Sequence, residues 1–167
     1  MLQNPAVERT LNTQGNRAMD KDTFEEIRQF AIDKEIEAEE LYSRMAAEAE
    51  LPHVQELFED LAAEERKHQR MLENINVDKV TDADLAPVQD LRLSDYLVEQ
   101  EFRPDMSYQD VLILAMKREE RSMELYRNLA NQTAGELRKI FEFLAREETK
   151  HKERLQREYD EFILSEN

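Results

Sequence analysis

Four segments of the chain carry apolar residues at helical spacing, with polar residues on their remaining faces. The first segment begins at Thr23, which has capping-box spacing to Glu26, and the second begins at Pro52, which suits a first helical turn. The third and fourth segments begin at Ser107 and Thr133, each with an acidic residue three positions later. The apolar stripes are Phe24, Ile27, Ala31, Ala38, Tyr42, Met45 and Ala49 in helix A; Val54, Phe58, Leu61, Ala62 and Leu72 in helix B; Tyr108, Val111, Ala115, Tyr126 and Leu129 in helix C; and Phe141, Leu144, Ala145, Leu155, Tyr159 and Phe162 in helix D. This pattern predicts four long amphipathic helices.

The connections between the segments predict how these helices are arranged. Helices A and B are joined by a short turn, and so are helices C and D. Residues 76–106 form a long connection that contains Pro87 and Pro104, with a predicted short helix near Ser94–Phe102. The sequence therefore predicts an all-α, antiparallel four-helix bundle with one long crossover between helices B and C.

The predicted domain organisation is one bundle with an extension before it. Residues 1–21 are polar and aperiodic, which predicts a flexible N-terminal arm. Residues 22–167 form the bundle domain, in which the crossover joins a hairpin at 22–75 to a second hairpin at 107–165.

The second hairpin repeats the first. Leu57–His68 resembles Ile140–His151, with Phe, Glu, Leu, Ala, Glu, Glu, Lys and His in the same register. Such a repeat predicts two hairpins related by a pseudo-twofold axis, so a site on that axis would receive the same side chains from each half.

The composition narrows the possible chemistry. The 167 residues include no cysteine and two glycines, and the formal net charge is −16. The lack of cysteine excludes disulfides and thiolate sites, and so few glycines argue against a phosphate-binding loop. The acidic charge argues against nucleic acid or an anionic membrane as a partner. No apolar run approaches the roughly 20 residues of a membrane span and no targeting segment is recognisable, so we expect a cytoplasmic protein.

Six residues interrupt the apolar stripes in a way that indicates a functional site. Each hairpin has a glutamate on the core line of its first helix and a Glu-x-x-His pair on the core face of its second. The six residues are Glu35, Glu65 and His68 in the first hairpin, and Glu119, Glu148 and His151 in the second. By the same count, the remaining glutamates nearby (Glu37, Glu39, Glu40, Glu64 and Glu147) point sideways or outward. One Glu-x-x-His is weak support because glutamate is common here, but two of the three histidines carry it at equivalent positions.

Four carboxylates that converge in a core require a counter-charge. An ionised carboxylate taken from water into protein costs several kcal/mol unless it is paired. Lys34, Arg118 and Lys152 are the cationic residues at the edges of these stripes. Two divalent cations would neutralise the four carboxylates, and the imidazoles would add one nitrogen ligand to each metal. The alternative is a metal-free polar network of Glu, His and Tyr side chains.

Three further residues have simpler interpretations. Tyr42 and Tyr126 lie two helical turns after Glu35 and Glu119, where they either pack in the core or hydrogen-bond to a ligand carboxylate. His53 follows Pro52 without a partner motif, so we expect it on the surface.

The motifs resemble those of a known family. Glu35, Glu65-Arg-Lys-His68, Glu119 and Glu148-Thr-Lys-His151 resemble the rubrerythrin branch of the ferritin-like di-iron carboxylate superfamily, over about residues 23–163. Bacterioferritins use a similar set. The resemblance implies a ferritin-like fold and two iron ions. It also implies that Glu65 and Glu148 bridge the irons, that Glu35 and Glu119 are terminal ligands, and that His68 and His151 bind one iron each.

The resemblance also implies an activity. Rubrerythrins are peroxide-reducing enzymes of oxidative stress that are often dimeric and usually carry a rubredoxin domain, which a chain without cysteine cannot form. They have an additional ligand glutamate one turn after the helix C glutamate, where this chain has Ser122. We therefore expect a di-iron oxidoreductase that forms a homodimer or higher homo-oligomer, reduces hydrogen peroxide or dioxygen, and depends on an external electron donor.

Two other functions stay open at this point. One is a ferroxidase or iron-storage protein of ferritin type, and the other is a non-catalytic helical module with a metal site. Manganese or zinc could replace iron, because zinc binds such ligands more tightly than ferrous iron does.

Overall fold

The computed structural model describes residues 19–85 and 91–167. Four α-helices make up most of this part of the chain: α1 (Lys21–Glu48), α2 (Pro52–Glu73), α3 (Tyr108–Asn131) and α4 (Gly135–Glu166). They correspond to the predicted helices A to D, and the all-α four-helix bundle with its long crossover is confirmed. None of the helices in the described ranges is both long and apolar enough to span a membrane.

Helix α1 begins two residues before the predicted start at Thr23. Asp20 is its N-cap, because the Asp20 carboxylate accepts a hydrogen bond from the Thr23 amide at 2.7 Å. Met19 is buried in the core, so residues 19–21 belong to the bundle and not to the predicted arm. The rest of that arm, residues 1–18, lies outside the described residues. The N-cap predicted for α3 is confirmed, since the Ser107 hydroxyl accepts from the Asp110 amide.

The predicted start of the last helix at Thr133 is wrong, because α4 begins two residues later, at Gly135. The Thr133 hydroxyl donates instead to the Leu129 carbonyl at the end of α3, and Ala134 precedes α4 without a capping side chain. Gly135 has a φ of +61°, a left-handed conformation that favours glycine. The Ala134 amide also donates to the Asp84 carbonyl, which ties the α3–α4 turn to the crossover.

The crossover is less helical than predicted. Its described residues, 76–85 and 91–106, contain two 3-10 helices, Val77–Lys79 and Leu93–Tyr96, instead of a helix over Ser94–Phe102. Tyr96 is buried against one half of the core and Phe102 packs against the other half, so the chain between them must travel along the bundle. An extended chain covers about twice the distance per residue that a helix does, which explains why the helix stops after Tyr96.

The core consists of two apolar halves. Helix α1 packs mainly on α2, and α3 packs mainly on α4, so the two hairpins form as predicted. One half contains Phe24, Leu72, Leu129 and Phe141, and the other contains Tyr42, Phe58, Leu112 and Leu155. Buried polar side chains occupy the middle of the bundle between these halves, which shields them from water at both ends.

Candidate metal centre

The six predicted residues meet in the middle of the bundle. Each of the four helices contributes a glutamate, and α2 and α4 each add a histidine one turn later. Their exposed fractions are only 0–2%, and they are Glu35, Glu65, His68, Glu119, Glu148 and His151. One ligand atom from each of Glu65, His68, Glu148 and His151 falls within 4.8 Å of the others, a grouping that could hold a metal ion.

Glu65 and Glu148 lie between the two histidines. The Nδ1 atom of His68 is 2.9 Å from Glu148 Oε1 and 3.3 Å from Glu65 Oε2. The Nδ1 atom of His151 is 2.7 Å from Glu65 Oε1 and 3.5 Å from Glu148 Oε2. Each of these two carboxylates therefore reaches both halves of the site, as a bridging ligand must.

Glu35 and Glu119 lie at the outer ends of the cluster. Glu35 Oε2 is 3.6 Å from Nδ1 of His68, and Glu119 Oε2 is 3.7 Å from Nδ1 of His151. Each glutamate is close to only one of the two imidazoles, which is the arrangement of a terminal ligand. The two imidazole rings are stacked with their centroids 5.3 Å apart.

Tyr42 and Tyr126 hydrogen-bond across the pseudo-twofold axis. The Tyr42 hydroxyl donates to Glu119, and the Tyr126 hydroxyl donates to Glu35. Each tyrosine thus holds the glutamate of the other hairpin, and both rings are almost fully buried. Of the two interpretations from sequence, hydrogen bonding to the glutamate and core packing both hold, because the ring packs while the hydroxyl bonds.

Some buried oxygen and nitrogen atoms of the cluster have no hydrogen-bond partner. Both carboxylate oxygens of Glu65 and Nδ1 of His151 lack a hydrogen-bond partner, although Glu65 Oε1 and His151 Nδ1 approach to 2.7 Å. Buried polar atoms without partners carry a desolvation cost. Lone pairs that converge in this way fit a metal ion, and four carboxylates with two imidazoles suit iron, manganese or zinc. The residues present therefore fit a two-metal centre.

Two of the four buried carboxyls have raised pKa values, and the other two have lowered pKa values. Burial raises the pKa of Glu65 and Glu148 well above the usual range, and the negative charges of Glu35 and Glu119 raise it further. Burial alone would raise the pKa of Glu35, but the neighbouring Glu65 carboxyl and His68 imidazole lower it to about 2. Without metal, the cluster holds protons shared between the carboxyls of Glu65 and Glu148 and the imidazoles of His68 and His151, and a bound cation would displace them.

Comparison with known proteins identifies the family. The model of the rubrerythrin family matches residues 26–159, which contain all six residues of the cluster. The chain belongs to the rubrerythrin family. Since that family has a di-iron domain, the buried Glu/His cluster of this rubrerythrin-family chain suggests a metal site.

Two solved structures have a similar fold. A dodecameric thioferritin, the bacterioferritin-related protein from Bacteroides fragilis, is 23% identical over 89% of this chain and 90% of its own, with a TM-score of 0.66. A hypothetical protein from Pyrococcus furiosus is 27% identical over 81% of this chain and 87% of its own, with a TM-score of 0.61. No curated protein matches the chain significantly.

The protons bound by the cluster predict that the stability of this rubrerythrin-family protein, without metal, depends on pH. The pKa values of Glu65, Glu148, His68 and His151 are all raised in the folded state; for the histidines, nearby carboxylates overcome the opposing effect of burial. The folded protein then binds more protons than the unfolded chain above neutral pH, so its stability falls as pH rises. We expect a loss of about 1.4 kcal/mol per pH unit for each extra proton between about pH 7 and 9.

Thermal unfolding of chelator-treated protein across this pH range measures the effect. The lowered pKa values of Glu35 and Glu119 act only at acidic pH, so they do not oppose the trend. A melting temperature that stays constant or rises toward pH 9 would contradict the protonated cluster.

Sequence reasoning missed one residue that contacts the site. Glu64 was predicted to point away, yet its Oε2 is 2.5 Å from Nε2 of His151, and its Oε1 is 3.6 Å from Arg154. The equivalent residue of the other hairpin, Glu147, instead binds Lys150 at 2.7 Å. A carboxylate on the outer nitrogen of a histidine orients the ring and makes the inner nitrogen a stronger ligand. The two halves of the centre are therefore not equivalent.

Glu64→Gln tests this asymmetry. We expect the variant to bind one of two metal ions about 10- to 100-fold more weakly, as is typical when such a partner is lost. Glu147→Gln is the matched control. It removes the same charge within 4.8 Å of Glu64 and His151, but Glu147 makes no hydrogen bond to the ring, so this variant should retain both affinities within about threefold. Calorimetric titration of the metal-free proteins with Co²⁺ or Zn²⁺ measures both affinities. An equal loss of metal affinity in the two variants would show that the removed negative charge, and not the contact with His151, sets the affinity.

His53 has an exposed side chain, as predicted, with 61% of its surface accessible. Ser122, at the position of the additional rubrerythrin glutamate, lines a small cavity beside the cluster together with Glu35, Glu119 and Arg118. The chain therefore leaves open space where many rubrerythrins have a ligand.

Proposed function

We propose that the protein is a di-iron oxidoreductase that reduces hydrogen peroxide or dioxygen. The observation that carries the proposal is a fully buried set of four carboxylates and two imidazoles, with unpartnered donor atoms, on the axis between two repeated hairpins. Its ligands would be Glu35, Glu65, His68, Glu119, Glu148 and His151. Two bound ferrous ions would supply the two electrons that peroxide reduction requires.

The protein's own residues would set the geometry of this centre. Glu65 and Glu148 contact both histidines and would hold the metals at a fixed separation. Tyr42 and Tyr126 donate hydrogen bonds to the terminal glutamates and restrict their rotation. The apolar halves of the core on either side exclude bulk water, which strengthens every electrostatic interaction in the site.

Access to the centre is restricted to small molecules. The cavity beside it has a volume of about 40 Å³ and is lined by Glu35, Glu119, Ser122, Arg118 and Lys34. A water molecule occupies about 30 Å³ in the liquid, so this space suits water, peroxide or dioxygen and not an organic substrate. Lys34 and Arg118 place positive charge at its lining.

Iron storage with ferroxidase activity is the second candidate. It is favoured by the similarity to a thioferritin that is dodecameric, which makes a homo-oligomer of this chain a reasonable expectation. A storage protein would form a large shell and take up several irons per chain, whereas the proposed enzyme would form a small oligomer with two.

Metal analysis followed by kinetics tests the proposal. Protein isolated without oxygen and loaded with Fe(II) should bind two ions per chain and oxidise them with about one peroxide per pair. Light scattering of the same sample gives the assembly size. Fewer than one ion per chain after loading would overturn the proposal, and many ions per chain in a shell would favour storage.

A further inference from the structure

A second, larger cavity opens at the end of the bundle that holds the α1–α2 turn. Its volume is about 580 Å³, in the range of small-molecule sites, and its walls are mainly apolar. Met45, Val54, Met106, Val111 and Phe162 form much of this wall. We call this space the end cavity.

The end cavity has one buried polar group. Glu158 is 8% exposed, accepts a hydrogen bond from the Tyr108 hydroxyl at 2.8 Å, and lies 3.7 Å from Nε2 of His53. Tyr108 also lines the cavity, where its ring packs against Phe162 with the centroids 5.1 Å apart. A ligand in the cavity would thus meet an aromatic ring and a carboxylate.

A row of aromatic rings connects the end cavity to the candidate metal centre. The centroid of Tyr108 is 6.5 Å from that of Phe58, which is 5.8 Å from that of Tyr42. The Tyr42 hydroxyl then hydrogen-bonds to Glu119 of the cluster. These contacts form a continuous line from the end cavity to the cluster.

The other hairpin has the same row with a different ending. Tyr126, bonded to Glu35, packs on Phe141 at 6.3 Å, and Phe141 packs on Phe24 at 6.2 Å. Phe24 corresponds to Tyr108 by the repeat, but it is fully buried in the core together with Met19. Only the first row therefore ends at a large cavity within the described part of the chain.

We propose that the end cavity binds an external electron donor of the hydroquinone class, and that the rings of Tyr108, Phe58 and Tyr42 pass its electrons to the metal centre. The inference rests on the proposed function, since it supplies the reductant which that function needs. An aromatic donor cannot reach the metals directly, because the adjoining cavity of about 40 Å³ is far below the roughly 150 Å³ that holds benzene.

The charge of the end cavity disfavours an anionic donor. Glu48, Glu50, Glu158 and Glu161 line it, with His53 as its one basic residue. This negative potential disfavours phosphate-bearing donors such as reduced flavin or nicotinamide nucleotides. A hydroquinone is uncharged, its ring suits the apolar wall, and its hydroxyl groups can donate to Glu158.

The reaction balances as a two-electron exchange. A hydroquinone is oxidised to a quinone, losing two electrons along the aromatic row and two protons to solvent at the open cavity. With iron bound by the six cluster residues, the same two electrons, together with two protons, would reduce one hydrogen peroxide to two water molecules.

Phe58→Leu tests the route, with Phe141→Leu as the matched control. Both rings are buried at equivalent positions, so both variants lose similar packing while the six cluster residues stay intact. Under anaerobic conditions, stopped-flow absorbance follows reduction of the ferric protein by trimethylhydroquinone. We expect about tenfold slower reduction in Phe58→Leu and a rate near wild type in Phe141→Leu. Equal rates in the two variants would overturn the route.

Binding to the metal-free protein gives a readout independent of iron. Calorimetry with trimethylhydroquinone should show one saturable site per chain, and Ala49→Phe should weaken this binding about tenfold, because the added ring takes up part of the end cavity. Unchanged affinity in Ala49→Phe, or no binding to the wild-type protein, would overturn the docking site. In that case normal iron loading and peroxide consumption with another reductant would leave the proposed function standing. Absent iron loading with intact hydroquinone binding would instead overturn only the proposed function.

Discussion

Replacement of Glu65 and Glu148 together by glutamine is expected to reduce bound iron from two ions to fewer than one per chain. The same double variant, without metal, should melt at a higher temperature than the metal-free wild type. Both effects have one cause: these carboxyls are fully buried and contact both histidines, so they are the ligands that two metals would share.

The gain in stability follows from proton linkage. The pKa of each carboxyl is raised well above its usual range by burial, so folding at neutral pH must protonate a group that is ionised in the unfolded chain. That costs about 3 kcal/mol per carboxyl kept protonated at pH 7. Glutamine keeps the shape without this cost, so the pair should gain about 6 kcal/mol, which is an increase of roughly 12–24 °C in melting temperature.

Glu56→Gln with Glu153→Gln is the matched control. Both residues are exposed, one on α2 and one on α4, so this variant changes the net charge by the same amount without touching the cluster. It should bind two irons and change the melting temperature little. Metal analysis and calorimetry on both variants make the comparison. A double variant of the buried pair that still binds two irons would contradict the bridging role.

Removal of metal from the wild-type protein is expected to cause a large loss of thermal stability. A ligand that binds only the folded state at about 1,000 times its dissociation constant adds about 4 kcal/mol. At about 2–4 °C per kcal/mol for a chain of this size, each bound ion should raise the melting temperature by about 8–16 °C. Scanning calorimetry of stripped and reloaded protein at fixed free metal measures the difference.

The variant without Glu65 and Glu148 carboxylates provides the negative control, because it should melt at the same temperature with and without added metal. If stripping leaves the wild-type melting temperature unchanged, the four carboxylates are solvated or satisfied by protons alone. The metal-free polar network considered from the sequence would then be the correct description.

Helical periodicity explains why most of the site could be predicted. Residues on one line of a helix face one direction, so Glu35 and Glu119 had to enter the core beside Ala31 and Ala115, which are fully buried. The repeat then placed equivalent residues on a common axis. These arguments need only the spacing along each helix.

The features that the sequence did not predict depend on how separate helices and loops pack against one another. Glu64 reaches His151 because α2 and α4 approach at a particular rotation, which periodicity within α2 cannot give. Likewise, the Thr133 hydroxyl donates to the Leu129 carbonyl at the end of α3 and does not cap α4, which begins at Gly135. Choices between alternative hydrogen-bond partners are settled by tertiary structure.

The exchanged hydrogen bonds of Tyr42 and Tyr126 have a consequence for assembly. Because each hairpin supplies the tyrosine that holds the other hairpin's glutamate, neither hairpin alone contains a complete half-site. The crossover keeps the two hairpins at a high effective concentration relative to each other. The complete centre then forms only when the two hairpins have docked in register.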